Sequence, residues 1–307
     1  MGEIEGMKVV TVLALAAIVL ALVLVVPVMA ASYTVDGDLS DWGITPVELN
    51  RGLNDSSIAG QIGDPDAWVP DSDTADWIVE DNKDPDTPSQ GSHPGYGVHI
   101  KGTGSSYSIY DEPLVHLYPP SCSEMHPEPF SGEAYDVEAM YFDDDEYYAY
   151  FAIVVSSETY LGDFYLEVNG EEYGIVLQDR AGLYQGQIYK DPDWIPSDYV
   201  CEVDKTWINA SAPGTYVGMA DVVISDTGIS DFGYTNYVVE IRVRKTLIGC
   251  PENCTFSDIS YACSCGNDHI ENEVHYDYPC IPEFLTVAIP AGMVIGLVYI
   301  WKRRQRK

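Results

Sequence analysis

The chain has 307 residues, with 15 Lys and Arg against 49 Asp and Glu and a formal net charge of −34. So acidic a molecule is not a nucleic-acid binder held by phosphate contacts, which needs a basic face. Apolar residues make up 46% of the chain, which excludes a globally disordered or collagen-like polymer, and the length suits one large domain or two small ones.

The N-terminus opens MGEIEGMK and continues as an apolar run from Val9 to Ala31, with Lys8 the only positive charge before it. Met7-Lys8 is a second candidate start. The close Val28-Met29-Ala30-Ala31-Ser32 has the small residues of a signal-peptide cleavage site. At about 23 residues the run is also long enough to stay in a bilayer uncleaved. Residues 1–31 are therefore expected as a signal helix, leaving 32–280 as an exported body. Residues 31–281 alone carry a charge of −37, which suits attraction of divalent cations or solubility in a saline habitat.

The body begins with Tyr33-Thr34-Val35-Asp36-Gly37-Asp38-Leu39-Ser40-Asp41-Trp42-Gly43. Residues 54–95 come next, rich in Asp, Pro and Ser and poor in aliphatics, and predict a long surface loop. Tyr135–Phe142 starts as an alternating strand, Asp143-Asp144-Asp145-Glu146 predicts a turn, and Tyr147–Val155 is apolar on both faces like a central strand. Further strands are expected near 164–168, 173–177, 216–224 and 259–263. Along 237–244, Tyr237, Val239, Ile241 and Val243 share one face; Val238, Glu240, Arg242 and Arg244 share the other, expected in solvent. Many short strands with Gly, Asp and Asn turns predict an all-β antiparallel sandwich.

Asp36, Asp38 and Asp41 crowd one turn and Asp143, Asp144 and Asp145 another. Calcium takes six to eight oxygen ligands, which Asp-rich turns supply; the alternative is that these carboxylates bond to their own turns. Cys250, Cys254, Cys263, Cys265 and Cys280 cluster, while Cys122 and Cys201 lie apart. Outside a membrane disulfides are the default, though seven cysteines cannot all pair within one chain. Cys250-x3-Cys254, with His269 and His275 nearby, leaves a zinc or iron site as the alternative. Trp42, Trp68, Trp77, Trp194 and Trp207 suit either a sugar-stacking platform or a core. Asn54, Asn209 and Asn253 open glycosylation sequons. There is no nucleophile elbow, zinc-protease His pair, phosphate loop, dinucleotide fingerprint or haem-attachment motif, so no catalytic residue, haem or nucleotide is expected.

At the other end, Phe284–Trp301 is free of charge and would rise roughly 27 Å as a helix, about the hydrocarbon thickness. The basic stop Lys302-Arg303-Arg304-Gln305-Arg306-Lys307 comes directly after it, keeping this end inside and the body outside. Pro282-Glu283-Phe284 stands at the head of the helix. A Pro-Glu-Phe motif, one helix and a basic tail in that order resemble the archaeal PEF-CTERM sorting signal. The resemblance implies recognition by an archaeosortase-type transpeptidase and transfer to a membrane or lipid anchor at the cell surface. Residues 33–43 are similar to the opening of DOMON-like and family-9-type carbohydrate-binding sandwiches. Trp68–Asp71, Tyr135–Asp145, Tyr150–Ile153 and Cys265–Asp268 resemble blocks of PEF-CTERM surface proteins, while 83–132 departs from them and reads as an insertion. A structural or adhesive role in the envelope is expected, with partners among envelope proteins or glycans; the alternatives are a glycan- or small-ligand-binding module and, last, a secreted hydrolase.

Overall fold

The computed structural model describes residues 33–44, 68–81, 97–112, 115–118, 124–127, 135–197, 203–231, 234–266 and 268–281, with single positions at 296 and 303. The expected signal helix, the segment after Ile281 including Pro282, Glu283 and Phe284, and Cys122, Cys201 and Asn54 lie outside these residues. Among the described residues no helix is long and apolar enough to cross a membrane.

The body is built from antiparallel strands. In chain order they are β1 Asp76–Asp81, β2 Gly97–Thr103, β3 Ser106–Glu112, β4 Val115–Tyr118, β5 Glu124–Pro127, β6 Val137–Asp144, β7 Tyr148–Val155, β8 Leu161–Val168 and β9 Glu171–Ile175. Then come β10 Gln187–Lys190, β11 Trp194–Ile195, β12 Trp207–Ile208, β13 Thr215–Met219, β14 Asp221–Asp231, β15 Tyr234–Arg244, β16 Phe256–Cys263 and β17 His269–His275. One sheet has the order β14-β15-β7-β6-β1-β2-β3 and another β13-β10-β9-β8-β16-β17; β11-β12 and β4-β5 form separate pairs.

The two large sheets share one core. Met140, Phe142, Phe151 and Ile241 of the first meet Phe164, Leu166, Ile259 and Ile270 of the second. Side chains alternate across a strand, so the intervening residues face the other way. Those residues, including Tyr141, Tyr150, Ala152 and Val238, form a second apolar layer with Tyr33, Leu39, Trp42 and Trp68 of the N-terminal segments. A sheet covered on both faces needs central strands apolar on both faces, which is why Tyr148–Val155 lacks polar alternation. The expected hairpin is present, but Asp143 and Asp144 end strand β6 and the turn is Asp145-Glu146-Tyr147.

Two expectations need correction. Within 54–95, residues 76–81 form β1, which pairs with β6 and β2, and Trp68 and Trp77 are fully buried. Aromatic residues spaced among the acids give this stretch an inward face. On β15, Val238 and Glu240 are buried, leaving only the Arg242–Arg244 end of that face accessible. The covering segment is a turn leading into a short 3-10 helix, Leu39–Trp42. Gly37 adopts φ 81° against Ser225 and Val223 of β14, and Gly43 adopts φ 76° against Asp71. Both positions combine a left-handed backbone with no room for a Cβ, so glycine fits where other residues strain.

Candidate functional site

Charged groups gather at the end of the sandwich where β6, β15 and β17 finish. The first Asp-rich turn is a different kind of feature. Asp36 and Asp38 accept amides of their own turn, from Asp38 N at 3.0 Å and Ser40 N at 2.9 Å, and Asp41 accepts Thr34 N. The turn is fixed to the sheet by Glu240, whose carboxylate accepts Asp36 N, Gly37 N and the Trp42 indole at 2.9, 2.6 and 3.1 Å. Burial pushes the Glu240 carboxyl upward against the pull of these three donors.

At the β6 end, Asp143 is buried and saturated. Its Oδ2 accepts the hydroxyls of Tyr33 and Ser72, both at 2.6 Å, and its Oδ1 accepts Thr74 Oγ1 at 3.1 Å and Asp144 N at 2.8 Å. Asp145 closes the hairpin turn, accepting Tyr147 N, Tyr148 N and the Tyr150 hydroxyl at 2.6–2.7 Å. Asp144 points to Lys245, the first residue after β15. Both side chains have 0% exposure, and Lys245 Nζ contacts Asp144 Oδ2 directly. The chain after β17 completes the enclosure. Asp144 Oδ1 accepts Asp277 N at 2.8 Å, and Lys245 Nζ donates to the Tyr278 carbonyl at 2.7 Å. Phe142 and Tyr276 pack edge to face nearby. Burial dominates at both partners: it pushes Asp144 up to about 6 in spite of Lys245, and it pulls Lys245 down in spite of Asp144. Beside them Asp76 Oδ2 accepts His275 N and contacts His275 Nδ1 at 2.7 Å, while His275 Nε2 lies 3.5 Å from Asp277 Oδ1.

The chemistry of this donor set decides whether calcium suits it. Among the described residues, one oxygen each from Asp143, Asp144 and Asp277 fall within 4.8 Å of one another; Asp36, Asp38 and Asp41 do not converge in this way. Calcium needs six to eight oxygens facing one point. The Asp143 oxygens accept four hydrogen bonds and a lysine already faces Asp144, so the residues present do not fit that ion.

The cysteines separate into three situations. Cys250 and Cys280 form a disulfide with a Cα–Cα distance of 5.2 Å, which removes Cys250 from the Cys250-x3-Cys254 metal pairing. Cys254 is exposed. Cys263 and Cys265 have their sulfurs 3.4 Å apart at the opposite end of the sandwich. Of the tryptophans, Trp42, Trp68 and Trp77 are core residues and offer no ring to a sugar, whereas Trp194 and Trp207 are half-buried. Asn253 is exposed, but its Nδ2 donates to the Asp277 carbonyl; Asn209 accepts from Ser211 through Oδ1.

The sequence does not single out Lys245, Asp277, Asp76 or Glu240 as site residues, and it points to His275 only as a neighbour of the Cys250-x3-Cys254 pairing. One signal did point to Lys245: it continues the inward series 237, 239, 241, 243, where a lysine must find a buried partner.

The last described residues of the body are stitched into it. Cys280 N donates to the Pro251 carbonyl at 3.0 Å and Ile281 N to the Glu146 carbonyl at 2.9 Å. From that point the chain enters a known family of segments. Residues 281–305 match the PEF-CTERM archaeal protein sorting domain. A PEF-CTERM segment is a recognition signal for archaeosortase processing and implies export and attachment at the cell surface. No curated protein and no solved structure matches the chain.

Proposed function

We propose that the protein is a non-enzymatic structural or adhesive component of the archaeal envelope, held at the cell surface after an archaeosortase-type transpeptidase acts at Pro282-Glu283-Phe284. One observation carries this reading: the sorting match begins at residue 281, next to a cysteine locked in a disulfide. The ordered body therefore runs up to the segment by which it is attached, as suits a part that transmits force or holds position. A sugar-binding platform gains no support from Trp42, Trp68 and Trp77, which the core consumes.

A helix needs only about 18 apolar residues and a basic stop to anchor, so the motif is expected to matter beyond hydrophobicity. Changing Pro282, Glu283 and Phe284 together to Ala should leave membrane insertion intact and block tail removal. The variant should run larger than the mature wild type and stay extractable only by detergent. A wild-type protein that keeps its full C-terminus in the mature envelope overturns the processing step.

A further inference from the structure

We propose that Lys245 and Asp144 are joined by a side-chain amide bond, an isopeptide cross-link that the folded chain forms on itself. Three observations carry it. The first is placement: both side chains are fully buried and Nζ contacts Oδ2, so the amine and the carboxyl are held together with water shut out. Such positioning replaces a bimolecular encounter by a unimolecular step.

The second is that the surroundings fit the product at least as well as the ion pair. A buried ion pair keeps a heavy desolvation cost unless every remaining lone pair and proton is matched. An amide is neutral and has one N–H and one carbonyl oxygen. The Tyr278 carbonyl already accepts from Nζ at 2.7 Å, and Asp277 N already donates to Oδ1 at 2.8 Å. Both polar atoms of the product thus have partners before it forms.

The third is a further carboxyl. One Asp277 oxygen lies within 4.8 Å of the Asp144 carboxylate, and Asp277 Oδ2 is shielded from solvent with no hydrogen-bond partner among the described residues. In the reaction the Asp277 carboxylate takes a proton from the Lys245 ammonium, and the freed amine attacks Cγ of Asp144. Asp277 N and Tyr278 N, 2.8 and 3.3 Å from the two oxygens, stabilise the charge developing there. The C–Oδ2 bond then breaks. Two of the three ammonium protons leave with Oδ2 as water, relayed by Asp277, which ends as it began. No oxidant, reductant or cofactor is consumed.

The test uses the full chain purified from its native envelope or expressed whole, reduced and alkylated so that disulfides do not contribute. Mass spectrometry should find it lighter by one water. Trypsin should fail to cut after Lys245, giving a branched peptide that joins the segments holding residues 144 and 245. Recovery of both segments as unmodified linear peptides from folded protein overturns the proposal. Lys245→Arg keeps the charge but cannot form the amide and should lose the branched peptide. Because that variant can fold poorly, Asp277→Asn is the second arm. It keeps the Lys245–Asp144 pair, and a native circular-dichroism spectrum with only linear peptides is expected. Full branching in Asp277→Asn excludes the assigned relay. The branched peptide reports nothing on tail removal, so this result and the sorting result stand apart.

Discussion

Glu240 is a carboxylate on a strand face that alternation assigns to solvent, yet it is 2% exposed and takes three hydrogen bonds from the N-terminal turn. Truncation to Ala leaves three donors without an acceptor, so Glu240→Ala should cost about 3 kcal/mol in denaturant unfolding, and Glu240→Gln clearly less. The group also sets a pH dependence. Its folded pKa is raised above the ordinary 4.5, chiefly by burial, so the folded state holds its proton more tightly than the unfolded chain. Its contribution to stability is therefore fully present below that ordinary value and is lost as pH rises through the folded pKa. Asp41, also raised by burial and next to the same turn, acts in the same direction. Thermal midpoints across the mildly acidic range should fall with rising pH more steeply in the wild type than in Glu240→Gln; equal slopes would remove Glu240 from the effect.

At the level of elements, the N-terminal turn and the Trp68 segment act as a lid on the outer face of the larger sheet. Trp42 stacks on Tyr33 at 3.9 Å between centroids and is 1% exposed, so Trp42→Ala should cost about 3–5 kcal/mol in an unfolding titration. A loss near zero would mean that the lid is not part of the cooperative unit. This layer also explains what was and was not legible in the sequence. The β6–β7 hairpin was readable because Tyr148–Val155 is apolar at every position, a pattern that only double coverage produces. Its cover was not readable, since the lid comes from residues 33–44 and 68–75, distant in sequence. β1 was missed because its apolar residues sit among acids whose burial depends on particular partners, as with Asp76 and His275. Lys245 was legible by register, but with 46 acids between residues 31 and 281 nothing in the sequence singles out Asp144 as its partner.

For the molecule as a whole, the charge of −37 over residues 31–281 makes self-repulsion a term that salt relieves. Sodium chloride should raise the melting temperature, and calcium at equal ionic strength should raise it no further, because the clustered carboxylates already bond to hydroxyls, amides and Lys245. A calcium increment that chelator reverses and sodium does not reproduce would place an ion in the fold.

The hydrogen bond from Ile281 N to the Glu146 carbonyl and the Cys250–Cys280 disulfide tie the last described residues of the body to the β6–β7 turn and to the segment after β15. The sorting match therefore begins beside the β6–β7 turn of the body. The opposite end, where β6 begins, β7 ends and β16 finishes, lies away from residue 281. That end carries the tilted Tyr135–Tyr160 ring pair and the Cys263–Cys265 sulfurs, of which Cys263 is buried.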